Sequence, residues 1–179
     1  MGKPIIGIMG PGENARPEEN EMAFALGKAI ADRGWIVLTG GRSFGIMEAA
    51  MKGAHEGNGL TIGVLPSDDA SQASDDADIK IITGLGSGRN IINVLSSHIL
   101  VVIGMAAGTA SEVALAIKAS KKVILLHQDE ITIRFFKNLG TYKVMVANTI
   151  DETMQIIADY LKVTPLASHH NRTSSASAE

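Results

Sequence analysis

The sequence predicts a single α/β domain of the Rossmann-like, doubly wound type, with a mostly parallel sheet and helices on both faces. Short runs rich in β-branched residues alternate with segments of helical periodicity, which is the pattern of βαβ units. A length of 179 residues without an internal repeat or a dividing linker fits one domain. We place this ligand-binding domain at residues 1–162 and a polar C-terminal tail at residues 163–179.

The elements of the first half follow in order: strand PIIGIM, a helix over about 18–33, strand WIVLT, a helix over 45–54 and strand LTIGVL. In the first helix, Met22, Leu26 and Ile30 recur every fourth residue and are expected to face the sheet. Gly34 is expected to end that helix, because glycine readily adopts the left-handed conformation of a C-cap.

The second half begins with the polar loop PSDDASQASDDAD and continues with these elements: strand DIKIIT, a helix around NIINVL, strand ILVVI, a helix opened by Thr109, strand KVILL, strand KVMVA and a helix ending at Leu161. Residues 131–140 are compatible with more than one type of element. The last helix begins with a capping box, Thr149-x-x-Glu152, whose side chains satisfy free backbone N–H groups. From Thr164 onward the composition is polar, which predicts a tail.

Composition excludes several classes of function. A net charge of -3 argues against nucleic acid as the main partner, because phosphate binding needs a concentrated basic face. The absence of cysteine excludes disulfides and zinc–thiolate sites. No apolar run approaches membrane-spanning length, and MGKPIIGIMG breaks at two glycines before a signal-like segment develops. We therefore expect a cytoplasmic protein without a membrane partner.

Four glycine-rich loops, GPGEN, GGRSFG, GLGSGRN and GMAAGT, follow predicted strands. In a doubly wound sheet these loops share the edge at the C-terminal ends of the strands, where ligands bind. Three of them lead into helix N-termini, whose free N–H groups attract anions, and glycine lets a phosphate approach the backbone. Arg42 and Arg89 lie in two of the loops and suit bidentate phosphate binding. The loops together predict a site for a phosphate-bearing ligand.

The candidate ligand-binding residues come from these loops: Gly10, Gly12, Gly40, Gly41, Arg42, Ser43, Gly86, Ser87, Gly88, Arg89, Gly108, Thr109 and Glu112. Each has a structural alternative. Glycine can serve turn geometry alone, the arginines can be solvated, and either serine can cap a helix, an interpretation that we favour for Ser87. No metal ligand is predicted. The aspartates between Pro66 and Ile79 fit no calcium-loop spacing, and the histidines His55, His98 and His127 are isolated.

The ligand is expected to carry a single phosphate on a flat heterocycle. The chain has no Gly-Lys-[Ser/Thr], which argues against a Walker-type triphosphate site. GIMGPG lacks the GxGxxG spacing, and the second strand ends in Thr-Gly-Gly where a dinucleotide site needs an acidic residue. Helix ends and two arginines can neutralise a monophosphate without magnesium.

The stretch GMAAGTASE has two incompatible interpretations. Thr109-x-x-Glu112 can be a capping box that opens a helix. The same residues can instead hold a carboxylate at the mouth of a catalytic pocket. We favour the capping box, because Thr149-x-x-Glu152 uses the same device where no site is expected.

Three segments, VLTGGRSFGIMEAAMKGA, GSGRNIINVLSSHILVVIG and GTASEVALAI, resemble the superfamily of the Lonely Guy (lysine-decarboxylase-like) proteins. Within it, the chain is most similar to the molybdenum cofactor carrier proteins over roughly residues 3–162. The resemblance implies a homo-oligomer, a dimer or a tetramer, that binds the molybdenum cofactor (molybdopterin, a pterin with one phosphate) as cargo. Molybdenum-enzyme clients would receive it. The cofactor's own dithiolene sulfurs hold the metal, so a cysteine-free protein can bind it.

Another branch of the superfamily comprises phosphoribohydrolases, which cleave nucleoside 5′-monophosphates to base and ribose 5-phosphate. Their motif is PGGxGTxxE with an upstream Arg-Lys pair. Here residues 104–106 are Gly-Met-Ala and Asn90 replaces the lysine, which argues against that activity. In such an enzyme, Arg89 and Glu112 would be the catalytic residues. A non-catalytic nucleotide-binding module is a second alternative.

Overall fold

The computed structural model describes residues 2–163. Its seven strands are β1 (Ile5–Met9), β2 (Ile36–Thr39), β3 (Thr61–Leu65), β4 (Ile79–Ile82), β5 (Ile99–Ile103), β6 (Lys122–Leu126) and β7 (Val144–Ala147). Its six α-helices are α1 (Pro17–Asp32), α2 (Gly45–Glu56), α3 (Asn90–Ser96), α4 (Ala107–Lys118), α5 (Glu130–Gly140) and α6 (Ile150–Val163). A 3₁₀ helix over Gly86–Arg89 leads directly into α3, and a second one spans Thr141–Lys143.

The strands form one sheet in the order β4-β3-β2-β1-β5-β6-β7, and every described pairing is parallel. The predicted α/β fold is confirmed. The chain builds outward from β1 to β4 and then returns to place β5 on the other side of β1. Loops that leave such a switch point diverge, which opens a crevice at the carboxyl ends of the two strands.

Helices cover both faces of the sheet. One core cluster joins alternate strand residues to α1, α2 and α6, and a second joins the remaining strand residues to α3, α4 and α5. In β5, Ile99, Val101 and Ile103 belong to the first cluster, whereas Leu100 and Val102 belong to the second. All five are buried, which is why this strand is a continuous apolar run rather than an alternating one.

The element predictions hold within a few residues. The ambiguous segment 131–140 lies in helix α5, whose N-cap Asp129 accepts hydrogen bonds from the N–H and hydroxyl of Thr132. The cap of α6 is confirmed: the Thr149 hydroxyl accepts from the Glu152 N–H at 3.1 Å. Val163 ends α6, and the rest of the predicted tail lies outside the described residues. Between residues 2 and 163, no helix is long and apolar enough to cross a membrane.

Candidate functional site

A cleft of about 170 Å³ opens at the carboxyl ends of β1 and β5, where the strand order reverses. Eight of the thirteen residues predicted from the sequence line it: Gly10, Gly12, Gly40, Arg42, Arg89, Gly108, Thr109 and Glu112. Pro11, Met47 and Ala106 add apolar residues to its lining, whereas the side chains of Ile8 and Met9 are buried in the core. The predicted convergence of the glycine loops therefore occurs at the switch point of the sheet.

A second cleft, of about 300 Å³, adjoins the first and shares Arg42, Arg89, Asn90 and Gly108 with it. Of the remaining predicted residues, Gly86 and Ser87 line this second cleft. The others, Gly41, Ser43 and Gly88, line neither cleft. The two arginines therefore present their charge to both clefts.

The glycines of the site have different roles. A Cβ added to Gly40 would lie 2.6 Å from both Arg89 Nη2 and Met47 Sδ, so this glycine leaves the space that Arg89 occupies. Gly41 has a φ of +76° and packs against the backbone of Gly63, which makes turn geometry sufficient to explain it. At Gly108 an added Cβ would meet no atom within 4 Å. That glycine leaves open space at the start of α4.

Arg89 is the last residue of the 3₁₀ helix, and its side chain is only 10% exposed. Its Nε is buried and has no hydrogen-bond partner among residues 2–163. Its Nη1 lies 3.9 Å from Glu112 Oε1, which is too long for a hydrogen bond. Burial lowers the pKa of Arg89, and the Glu112 carboxylate acts in the opposite direction. Arginine nevertheless stays protonated in proteins, so Arg89 is a buried cation with unused donors.

Arg42 follows β2, and its guanidinium carbon lies 5.7 Å from the centre of the Phe44 ring, within cation–π range. Its backbone pairs with Ala73 of the aspartate-containing loop. Like Arg89, it has a buried Nε without a partner among the described residues. Both arginines thus keep donors available for an anion.

Glu112 lies in α4, and its side chain is 8% exposed. Its Oε1 accepts a hydrogen bond of 2.8 Å from Nδ2 of Asn93, a fully buried residue of α3. Burial raises the pKa of Glu112, while the Asn93 hydrogen bond and the charge of Arg89 act against that rise. The sequence interpretation missed Asn93. The available signal was a polar residue inside the apolar run NIINVL, four positions after Arg89 and hence on the same helix face.

The capping-box interpretation of Thr109-x-x-Glu112 is wrong. Helix α4 begins at Ala107 with Ala106 as its N-cap, so Thr109 is the third residue of the helix and is buried. The chain turns before the helix at Gly104, which has a φ of +67° and whose carbonyl accepts a hydrogen bond from Gln128 Nε2 at 3.1 Å. Glu112 is therefore free of a capping role and its carboxylate faces the cleft.

The capping role favoured for Ser87 is also wrong. Ser87 lies inside the 3₁₀ helix, and the N-cap of α3 is Arg89, without a side-chain cap. Ser43 does not cap α2 either, because the N-cap there is Phe44. Ser43 precedes that position and donates its backbone N–H to the carbonyl of Gln72. Neither serine satisfies the N–H groups at the start of these helices.

The electrostatics of the cleft favour an anion. Two arginines face one buried carboxylate, and α2 and α4 begin at the cleft without side-chain caps. The first N–H groups of α4 add further positive potential, whereas the Ile46 N–H at the start of α2 already donates to the Pro11 carbonyl. In the described part of the chain, no group of three or more His, Cys, Asp or Glu side chains is placed to hold a metal ion. The cleft fits a ligand with one strongly anionic group and a flat, partly apolar body.

Comparison with known proteins gives concordant matches. Residues 3–154 match the model of the SLOG cluster4 family. The molybdenum cofactor binding protein of the phototrophic bacterium Rippkaea orientalis is 49% identical, with a TM-score of 0.87 over 89% of this chain and 98% of that one. The molybdenum cofactor carrier protein of Chlamydomonas reinhardtii is 50% identical, with a TM-score of 0.85 over 89% and 99%.

A curated enzyme matches over a shorter stretch. The cytokinin riboside 5′-monophosphate phosphoribohydrolase of Mycobacterium marinum is 44% identical over 50 residues, which are 28% of this chain and 27% of that protein. The two structural matches extend along nearly the whole described chain, whereas the enzyme match covers about a quarter of it.

Proposed function

Since the chain belongs to the SLOG cluster4 family, we propose that it binds the molybdenum cofactor in the cleft between β1 and β5 and carries it without chemical change. The resemblance to molybdenum cofactor carrier proteins that the sequence indicated is confirmed by the two solved structures, whose sequences are 49% and 50% identical to this chain. That similarity over nearly the full described chain is the observation that carries the proposal.

The chemistry of the cleft supports this cargo. Arg42 and Arg89 have unused donors for the single phosphate of the cofactor, and the uncapped start of α4 lies beside them. Pro11, Met47 and Ala106 line the cleft and provide apolar contact for the flat pterin. The metal stays on the cofactor's own dithiolene sulfurs, so the carrier contributes binding, orientation and protection from water.

The direct experiment is mass spectrometry of the ligand that co-purifies with the protein from cells that make the cofactor. We expect a phosphorylated pterin or its oxidation product, together with molybdenum. A nucleoside monophosphate in place of the pterin would favour the nucleotide-binding alternative and contradict a carrier role.

One observation supports phosphoribohydrolysis as a second candidate: the Glu112 carboxylate lines the cleft 3.9 Å from Arg89. Those are the two residues that such an enzyme would use. Against it, Met105 and Ala106 stand in the loop where the hydrolase motif has glycines, and Ala106 lines the cleft. We expect at most trace release of ribose 5-phosphate from AMP.

The assembly and partners belong to the same proposal. We expect a homo-oligomer, a dimer or a tetramer, that delivers its cargo to molybdenum enzymes in the cytoplasm. Large apolar side chains on α5, such as Ile131 and Phe135, are exposed in the single chain, which is compatible with burial against another copy. Light scattering that finds a monomer at micromolar concentration would contradict the oligomer.

A further inference from the structure

We propose that Glu112 recognises the heterocycle of the cargo by accepting two N–H donors from one edge of the ring, while Arg42 and Arg89 bind the phosphate. The 2-amino-4-oxo edge of a pterin, with its ring N–H beside its amino group, has this pair of donors. The inference rests on the proposed function and adds to it the orientation of the cargo and a determinant of its specificity.

Glu112 has few hydrogen-bond partners for a buried carboxylate. Its side chain is 92% buried, since 8% is exposed. Oε1 accepts one hydrogen bond, from Asn93, and Oε2 accepts none from the residues that the structure describes. Arg89 Nη1, at 3.9 Å, is too far to supply one. Glu112 lines the cleft and Oε2 is not among the buried atoms that lack a partner, so this oxygen is open to donors from a ligand.

The geometry of a carboxylate determines which donors suit Glu112. A carboxylate has two coplanar oxygens, and two parallel N–H donors on a rigid frame match them, as in an arginine–carboxylate pair. A ring N–H with an adjacent amino group has the same arrangement. A phosphate is disfavoured beside Glu112 by its charge, so we assign the donor edge of the ring to Glu112 and the phosphate to the arginines.

Asn93 holds the Glu112 carboxylate in place. Asn93 is fully buried, donates to Glu112 Oε1 at 2.8 Å, and also lies 3.8 Å from Met9 Sδ. Its amide nitrogen has only donors to offer, so it requires an acceptor at Glu112. Asn93 is therefore a positioning residue, which fixes the orientation of the Glu112 carboxylate at the cleft.

The test compares Glu112→Gln with wild type, using two probes that each carry one half of the cargo's chemistry. The probes are 6-hydroxymethylpterin, which lacks a phosphate, and inorganic phosphate. Glutamine keeps an oxygen for Asn93 but presents an NH₂ group to the donors of the ring. We expect pterin affinity to fall about tenfold or more, as for the loss of a charged hydrogen bond. Phosphate affinity should stay equal or rise, because a negative charge beside Arg89 is removed.

Two further variants complete the design. Arg42→Ala should weaken phosphate binding and leave pterin binding within about twofold, as expected for independent subsites. Glu152→Gln is the matched control, because it makes the same substitution at the exposed cap of α6. It should bind both probes as wild type does.

Equal pterin affinity in wild type and Glu112→Gln would overturn the inference. An equal loss of affinity for both probes in Glu112→Gln would also overturn it, because it would mean that Glu112 acts by supporting Arg89. So would the absence of pterin binding to wild type at millimolar concentration. These outcomes leave the proposed function standing as long as wild type retains the complete cofactor. Failure of wild type to retain the cofactor would contradict the proposed function itself.

Discussion

At the scale of single residues, the two arginines carry the anion-binding claim. Each has a buried Nε that no residue between 2 and 163 satisfies, and each lines both clefts. We expect Arg42→Ala and Arg89→Ala each to weaken cofactor binding by about 1.5–3 kcal/mol, the range for hydrogen bonds to charged groups. Titration of the variants with the cofactor measures this loss.

The control for both variants is Arg134→Ala, which removes an exposed arginine from α5, outside both clefts. It should bind the cofactor as wild type does. If either cleft variant binds as tightly as this control, the corresponding arginine does not hold the phosphate.

Glu112 gives a second prediction at this scale, through the pH dependence of stability. Burial raises its pKa in the folded protein above the ordinary value of 4.5, so the folded state holds the proton more tightly than the unfolded chain. The stability that Glu112 contributes is then present below that ordinary pKa and is lost as pH rises through the raised one. Glutamine does not titrate. We therefore expect the free energy of unfolding of Glu112→Gln to increase relative to that of wild type as pH rises.

Urea denaturation of the ligand-free proteins at about pH 4 and about pH 8 measures this difference under two-state conditions. If the difference in free energy of unfolding between variant and wild type is the same at both pH values, or favours wild type more at the higher pH, the carboxylate is not destabilised by its burial.

At the scale of elements, the helices differ in their caps according to where they begin. α5 and α6 start away from the cleft and have side-chain caps from Asp129 and Thr149. α2 and α4 start at the cleft and have none. The Ile46 N–H at the start of α2 donates to the Pro11 carbonyl, so the start of α4 is the one with free N–H groups for an anionic ligand.

Ala106→Ser tests this interpretation. Ala106 is the N-cap of α4 and has an extended backbone, which is the conformation of a capping serine. The serine hydroxyl should accept from the first free N–H groups and raise the free energy of unfolding by about 0.5–2 kcal/mol. The same bond removes donors from the ligand, so phosphate binding should weaken. Isothermal titration and thermal unfolding of one sample measure both quantities, and tighter phosphate binding would contradict the proposed role of α4.

Elements that face the core were predictable from the sequence, and those that do not were less so. β5 is buried on both sides, and its apolar run identified it directly. In α5, Ile131, Phe135 and Leu139 are exposed while Phe136 and Gly140 are buried. Hydrophobic periodicity assumes that apolar side chains face the core, so it could not assign this helix. The start of α4 was missed because its N-cap is Ala106, which has no capping side chain to mark the position in the sequence.

At the scale of the whole molecule, the topology accounts for the position of the site. The sequence predicted that four glycine loops share one sheet edge, and the reversal between β1 and β5 brings eight of the thirteen predicted residues to one cleft. The partnership of Glu112 with Asn93 was not predictable, because it depends on how α3 packs against α4. Gly41 was predicted as a ligand residue, yet its packing against Gly63 already explains it.

The proposed role of the assembled cleft is to hold the molybdenum cofactor and to release it unchanged. The most direct measurement is gel filtration of the protein after incubation with the cofactor, with molybdenum and pterin quantified in the protein peak. We predict that both co-elute with the wild-type protein, that Arg89→Ala retains less of them, and that the released cofactor is chemically intact. Elution of the protein without molybdenum and pterin, together with release of ribose 5-phosphate from AMP at an enzymatic rate, would contradict the account.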